Sequence, residues 1–257
     1  MPESPILECQ GVSKAFGAVQ ALYAVDFEVC PGEVMALVGD NGAGKSTLIK
    51  GIAGIYPFDE GTVRFEGREV HIGGPAAAAN LGIEIVYQDL ALADNLDVVA
   101  NMFLGRERTK GIVLDEADME EQAQSTLDSL SVTTLQSVRQ TVAGLSGGQR
   151  QAVAVAKAVM WESKVVILDE PTAALGVAQT RQVLDLTRRL ADRGLAVVII
   201  SHNLHDIFEV ADRITVLRLG QMVDVFRTSE TTQQDVVHSI TAGKLRHVPG
   251  MAEVVDA

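Results

Sequence analysis

From residue 6 to residue 30 the chain alternates apolar and polar positions, broken at Phe16-Gly17, and this period of two predicts two strands joined by a turn. VMALVG (34–39) drops the alternation: it is continuously apolar and ends in glycine, which predicts a strand of the parallel type, buried on both faces. Gly44 to Gly54 reads as a helix, GTVRFEGREVHI as a second short hairpin, PAAAANLG as a short helix and IEIVYQ as a strand. Between Asp89 and about Trp161 the pattern turns helical, with the acidic, solvated stretch LDEADMEEQAQ in its middle. That block predicts a helical subdomain, about residues 90–160, set into an α/β core. VVILDE (165–170) and LAVVIISH (195–202) predict two further buried strands, separated by an amphipathic helix from Val177 to Arg193. A short helix then leads to a last hairpin, ITVLRLGQMVDVF, and residues 246–257 read as a tail. Strand and helix in alternation predict a mostly parallel sheet with helices on its faces.

Composition sharpens this picture only a little. A chain of 257 residues that is 47% hydrophobic has ample material for a core, as one α/β domain or two small ones. The net charge of −13 argues against a partner bound through a phosphate backbone, so no nucleic acid is expected, although a local basic site remains possible. Cys9 and Cys30 sit in apolar, strand-like surroundings, which favours thiols in a reducing compartment over a disulfide. No run of some 18 apolar residues occurs, and MPESPILECQ lacks a basic-then-apolar signal. The expectation is a cytoplasmic chain that spans no membrane.

The candidate chemistry lies where apolar runs end. GDNGAGKST (39–47) fits G-x-x-x-x-G-K-[ST] between a predicted strand and a predicted helix, the context a phosphate-binding loop requires. Its glycines let backbone N–H groups wrap phosphate oxygens, Lys45 reaches the β and γ phosphates, and the Ser46 hydroxyl supplies a Mg²⁺ ligand. Asp169 ends a buried strand with Glu170 beside it, and two carboxylates there are costly unless they meet a cation or water. Asp169 fits a second, water-mediated Mg²⁺ contact, and Glu170 is placed to polarise an attacking water. The bland alternative is a helix cap before Pro171. With the glycine-rich loop, the pair points to nucleoside triphosphate hydrolysis. Gln88 and His202 also end apolar strands, at the edge where a parallel sheet binds ligands, although each alone reads more often as a cap or a satisfied surface polar group. His205, one turn beyond His202, reads as a solvated helix residue. Phe16, near a turn 29 residues before Lys45, is either a base-stacking aromatic or a core residue. Finally, LSGGQ (145–149) runs into an apolar helix, so its N-terminal N–H groups form a second anion site in a chain that already has one.

Taken in order, a phosphate-binding loop, a strand-end Gln, LSGGQ, LDEP and a strand-end His resemble the ATP-binding subunit of an ABC transporter, over about residues 5 to 245. LSGGQ between the two nucleotide motifs is the most specific element. The resemblance implies a P-loop ATPase core with a mostly parallel sheet, an antiparallel β subdomain and an inserted helical subdomain, within a single ATP-binding domain spanning 1–245. It makes Gly39, Asn41, Gly42, Ala43, Gly44, Lys45, Ser46 and Thr47 the Walker A loop. Gln88 becomes the residue touching Mg²⁺ or the attacking water next to the membrane-subunit contact. Asp169 becomes the Walker B aspartate, Glu170 the catalytic glutamate, His202 the switch histidine on the γ-phosphate and Phe16 the adenine-stacking aromatic. Ser146, Gly147, Gly148 and Gln149 would bind the ATP of a second copy.

VYQDLALADNLDVVANMFLGRE and DEPTAALGVAQT look like the ATPases of bacterial monosaccharide importers of the ribose, xylose and fructose kind. The resemblance then implies ATP and Mg²⁺, membrane-spanning permease subunits, a homodimer when ATP-bound, and a periplasmic sugar-binding protein acting indirectly. It also places the chain on the inner face of the cell membrane. Many such importers carry two ATPase halves and many oligosaccharide importers an added C-terminal regulatory domain; neither is expected here. One position departs from the family. After EPT the usual Ser-Ala-Leu-Asp is Ala173-Ala174-Leu175-Gly176, so a carboxylate that helps the two sites communicate is missing. Within transport, an amino-acid, lipid or export role is the alternative; two readings lie outside it: an ABC ATPase working outside transport, and a regulatory module that binds nucleotide without turnover. The acidic charge and single unit oppose the first; Glu170 and His202 oppose the second.

Overall fold

The computed structural model describes residues 4–245, so the tail expected at 246–257 lies outside the described residues. Two sheets organise it. The first is antiparallel, in the order β2-β1-β4-β5, from β1 (Leu7–Phe16), β2 (Val19–Val29), β4 (Glu60–Phe65) and β5 (Arg68–Val70). The alternating N-terminal pattern produces it: Leu7, Cys9, Val25, Phe27 and Val29 face inward while their neighbours are half-buried or exposed. Neither Cys9 nor Cys30 forms a disulfide, and burial pushes the Cys9 thiol pKa up to about 12.

The second sheet has six strands in the order β12-β11-β3-β10-β9-β6. Its members are β3 (Val34–Val38), β6 (Ile83–Val86), β9 (Val165–Asp169), β10 (Ala196–Ile200), β11 (Arg213–Arg218) and β12 (Gln221–Arg227). All pairings are parallel except β11 with β12. The continuous apolar runs are explained by burial on both faces. Met35, Leu37, Val165, Ile167, Val198 and Ile200 join a core with the antiparallel sheet and α1 (Lys45–Ile52). Val34, Ala36, Val166, Leu168, Val197 and Ile199 face the opposite core, formed with α5 (Gly147–Val159), α6 (Val177–Asp192) and α7 (Leu204–Val210).

α2 (Pro75–Asn80) precedes β6, and α3 (Val98–Phe103) and α4 (Glu116–Ser129) pack with α5. The block expected to be helical from Asp89 to Trp161 is only partly so. Residues 109–114 form a small hairpin, β7 (Thr109–Lys110) and β8 (Val113–Leu114), and irregular chain with one 3₁₀ turn, Val142–Gly144, links α4 to α5. A final helix, α8 (Gln233–Ala242), follows the last hairpin, where the sequence reading had no element.

Candidate active site

The carboxyl ends of β3, β6, β9 and β10 lie on one edge because the four strands are parallel and in register. Ile200 pairs with Leu37 on one side and with Asp169 on the other, and Val86 pairs with Leu168. The glycine-rich loop leaves β3 one residue later, Gln88 follows β6 by two residues, and His202 follows β10 by two. Thus the structure brings Lys45, Asp169, Glu170 and His202 together, with Gln88 exposed at the neighbouring strand end.

The loop needs glycine at particular points. At Gly39 a Cβ would collide with the Leu217 carbonyl oxygen, and at Gly44, with φ of 102°, it would lie 2.8 Å from Leu22 Cδ2. Gly44 begins α1 with no side-chain cap, leaving the first N–H groups of that helix without a side-chain acceptor. Ala43 is buried, whereas Asn41, Gly42 and Ser46 are exposed. Lys45 Nζ folds back to donate to the carbonyls of Gly39 at 2.6 Å and Asp40 at 3.0 Å. Burial lowers the Lys45 pKa, opposed by the charges of Glu170, Asp40 and Asp169.

Burial, then the neighbouring Glu170, raises the Asp169 pKa. Glu170 takes a left-handed backbone, φ 50°, a conformation costing on the order of 1–3 kcal/mol. Its N–H donates to the Ile200 carbonyl at 2.9 Å, which pins this turn to β10. Glu170 Oε2 is buried without a hydrogen-bond donor. His202 Nδ1 lies 2.9 Å from it without forming a hydrogen bond. A carboxylate held this way is a free acceptor for a water proton. The donor set also suits Mg²⁺: the Ser46 hydroxyl and the Asp169 carboxylate are hard oxygen ligands, and a raised carboxylate pKa is what a cation would reverse. Among the described residues no cluster of three His, Cys, Asp or Glu could hold a metal ion.

Phe16 is 48% exposed, which removes the core alternative. It stands edge-to-face on Tyr56, centroids 5.2 Å apart, with Lys14 Nζ 5.6 Å from the Phe16 ring. The Tyr56 hydroxyl donates to the Thr47 carbonyl at 3.1 Å, linking the aromatic platform to α1. Sequence reasoning missed Tyr56 and Lys14, since only the fold sets them beside Phe16. His205 is exposed on α7, as expected.

The LSGGQ segment sits elsewhere. α5 packs against α3, α4, α6 and β6, while α1 packs against β2. Ser146 caps α5, its Oγ accepting from Gln149 N–H at 3.3 Å, and Gln149 Oε1 accepts from Ser146 N–H at 2.8 Å. Gln149 Nε2 donates to the Thr134 carbonyl, so that side chain is committed within the chain. Ser146 and Gly147 are exposed, and Gly148 is buried against Gln179 of α6. Next to Gln88 a groove of about 300 Å³ opens between β6, α3 and α5, lined by Tyr87, Leu90, Met102, Leu104, Ala154 and Trp161.

Comparison with known proteins agrees with this geometry. Residues 22–173 match the family model for the ABC transporter. The chain is 49% identical over 251 residues to the fructose import ATP-binding protein FrcA of Rhizobium meliloti, covering 95% of this chain and 96% of that one. It is 47% identical over 245 residues to the xylose/arabinose import ATP-binding protein XylG of Sulfolobus acidocaldarius, covering 95% and 97%. The structure superposes on the ADP conformation of MJ1267, an ATP-binding cassette of an ABC transporter, with a TM-score of 0.80 at 28% identity, covering 93% of this chain and 96% of that one. The chain belongs to the ABC transporter family, as an ATP-binding protein with ATPase activity.

Proposed function

We propose that the chain powers uptake of a monosaccharide through separate membrane-spanning permease subunits, with residues 1–245 acting as one ATP-binding domain and about 90–160 as its helical subdomain. The observation that carries the reading is the convergence of Lys45, Asp169, Glu170 and His202 on one sheet edge beside a glycine-rich loop. Similarity to two sugar-import ATP-binding proteins supports the substrate class.

Phe16 stacks on adenine, and the N–H groups of residues 39–47 with Lys45 hold the phosphates. Ser46, Gln88 and Asp169 are the residues that would hold Mg²⁺, whose charge offsets that of the phosphates. The Glu170 carboxylate takes the proton of a water as its oxygen bonds to the γ-phosphorus. The bond to the β–γ bridging oxygen breaks and ADP carries that oxygen away, while His202 steadies the γ-phosphate. Two copies close head to tail, so that Ser146, Gly147 and Gly148 of the partner subunit complete each site. The groove beside Gln88 suits a segment of the permease, and the chain works at the inner face of the membrane. A periplasmic sugar-binding protein acts only through the permease, and the −13 charge argues against a nucleic-acid partner.

Glu170→Gln tests the chemistry. Hydrolysis should drop by about 10²- to 10⁴-fold while ATP still binds and the dimer accumulates. Near-normal turnover in that variant would sink Glu170 as the base. For the transport role, ATPase activity that a co-reconstituted sugar permease leaves unchanged, with no uptake of labelled monosaccharide, overturns the reading.

A further inference from the structure

Asp206, on the first turn of α7, is 3% exposed, and among the described residues no Lys, Arg or His side chain pairs with it. Its Oδ2 accepts from the buried Thr172 hydroxyl at 2.7 Å, and its Oδ1 accepts from Asn203 Nδ2 at 2.9 Å. Thr172 lies two residues after Glu170, and Asn203 lies one residue after His202. One buried carboxylate therefore bridges the two turns that carry the proposed base and the proposed γ-phosphate contact. The bridge continues at both ends: Asn203 N–H donates to Ser201 Oγ at 3.0 Å, and Asn203 Oδ1 accepts from His205 N–H at 3.1 Å.

A buried carboxylate served only by neutral donors and the start of a short helix is a costly way to fill space, and an apolar side chain would fill it more cheaply. What it provides instead is direction. Both oxygens are satisfied only when the two turns stand in one relative position, and Glu170 and Ala174 hold left-handed conformations in the turn being held. We propose that Asp206 and Thr172 are positioning residues, locking the Glu170 turn to the His202 loop so that carboxylate and imidazole face the same phosphate. This deepens the hydrolytic reading and rests on it. Misplacement by about 1 Å at a reacting group can cost about a hundred-fold in rate, so the lock should register in turnover, not in nucleotide affinity.

The test uses Thr172→Val, which removes the hydroxyl and keeps the shape, with Thr172→Ser, Asp206→Asn and the double variant beside it. In Thr172→Val, kcat should fall about ten-fold or more, with KM for ATP and affinity for ADP changed by no more than about two-fold. Thr172→Ser should restore turnover, and the double variant should be no slower than the slower single one. Amide hydrogen exchange should quicken in residues 170–174 and 202–205 together. Unchanged kcat in folded Thr172→Val, or affinity and kcat falling in parallel, overturns the proposal; if Asp206→Asn does not fold, Thr172→Val and its serine rescue still decide. Glu170→Gln is measured alongside. If it loses turnover while Thr172→Val does not, only the lock fails; if it keeps turnover, the underlying reading of Glu170 fails.

Discussion

Asp169 ends β9 half-buried, and burial together with the charge of Glu170 raises its pKa. For an acid whose folded pKa stands above its unfolded value, the folded state is favoured only while the group is protonated. The contribution is fully present below the unfolded value and is lost as pH rises through the folded one. At neutral pH the ionised carboxylate therefore counts against folding. Lys45 carries the matching burden, since burial lowers its pKa and so disfavours its charged form. Both ions are placed for a phosphate and a cation at the expense of the protein by itself. Asp169→Asn should raise the melting temperature at pH 7. The gain should vanish in acid, below the point where the wild-type carboxyl is protonated, and hydrolysis should be lost. Thermal melts of both proteins across pH check this; a lower melting temperature for the Asn variant at pH 7 would contradict it.

Among the elements, α6 shows what a single departure from the family pattern does. Gly176 is its N-cap in an extended conformation, with no side chain to accept from the helix start. Gln179 supplies half of the missing cap, its Oε1 accepting from Gly176 N–H at 3.2 Å. A Cβ at Gly176 would meet nothing nearer than that oxygen at 3.8 Å, so a side chain can leave the backbone there without a clash at its first carbon. Gly176→Asp should stabilise the chain by a few tenths of a kcal/mol through capping. It should also raise the Hill coefficient for ATP hydrolysis, by restoring a carboxylate where the family has one. A better melting temperature with an unchanged Hill coefficient would mean that coupling does not run through this position. Such elements were legible where periodicity is strong. VMALV, VVIL and AVVII are apolar at successive positions because both faces are covered, and each ends within two residues of a candidate-site residue, Gly39, Asp169 and His202 in turn. The β7–β8 hairpin has two-residue strands, too short for any period to register. α8 buries only Val236 and Ser239 fully, which leaves no apolar stripe. The tie between Thr172 and Asp206 joins residues 34 apart, which no local pattern can reveal.

For the molecule as a whole, the open question is which ATP the LSGGQ turn serves. Within one chain α5 and α1 pack in different neighbourhoods, while Ser146 and Gly147 remain exposed at the start of a 13-residue helix. Leu175 packs where a Cβ on Gly147 would come within 2.9 Å, and Gln179 lies against Gly148. The turn and the Gly176 segment thus form one surface, offered outward. On the head-to-tail reading, Ser146→Arg leaves a chain's own phosphate loop intact but spoils its partner's site. Its cost in stability is the lost cap, about 1 kcal/mol. Lys45→Ala does the reverse. Each variant alone should hydrolyse poorly, Ser146→Arg while still binding ATP. Mixed together, they form dimers in which the phosphate loop of one chain meets the intact LSGGQ turn of the other, so every mixed dimer has one complete site. On the reading that glycine at 176 uncouples the two sites, that one site should turn over without the second, and hydrolysis should return on mixing. Rate measured against mixing ratio, with mixed dimers counted by mass, checks it. Mixed dimers that bind ATP and stay inactive would show that the turn serves the chain that carries it.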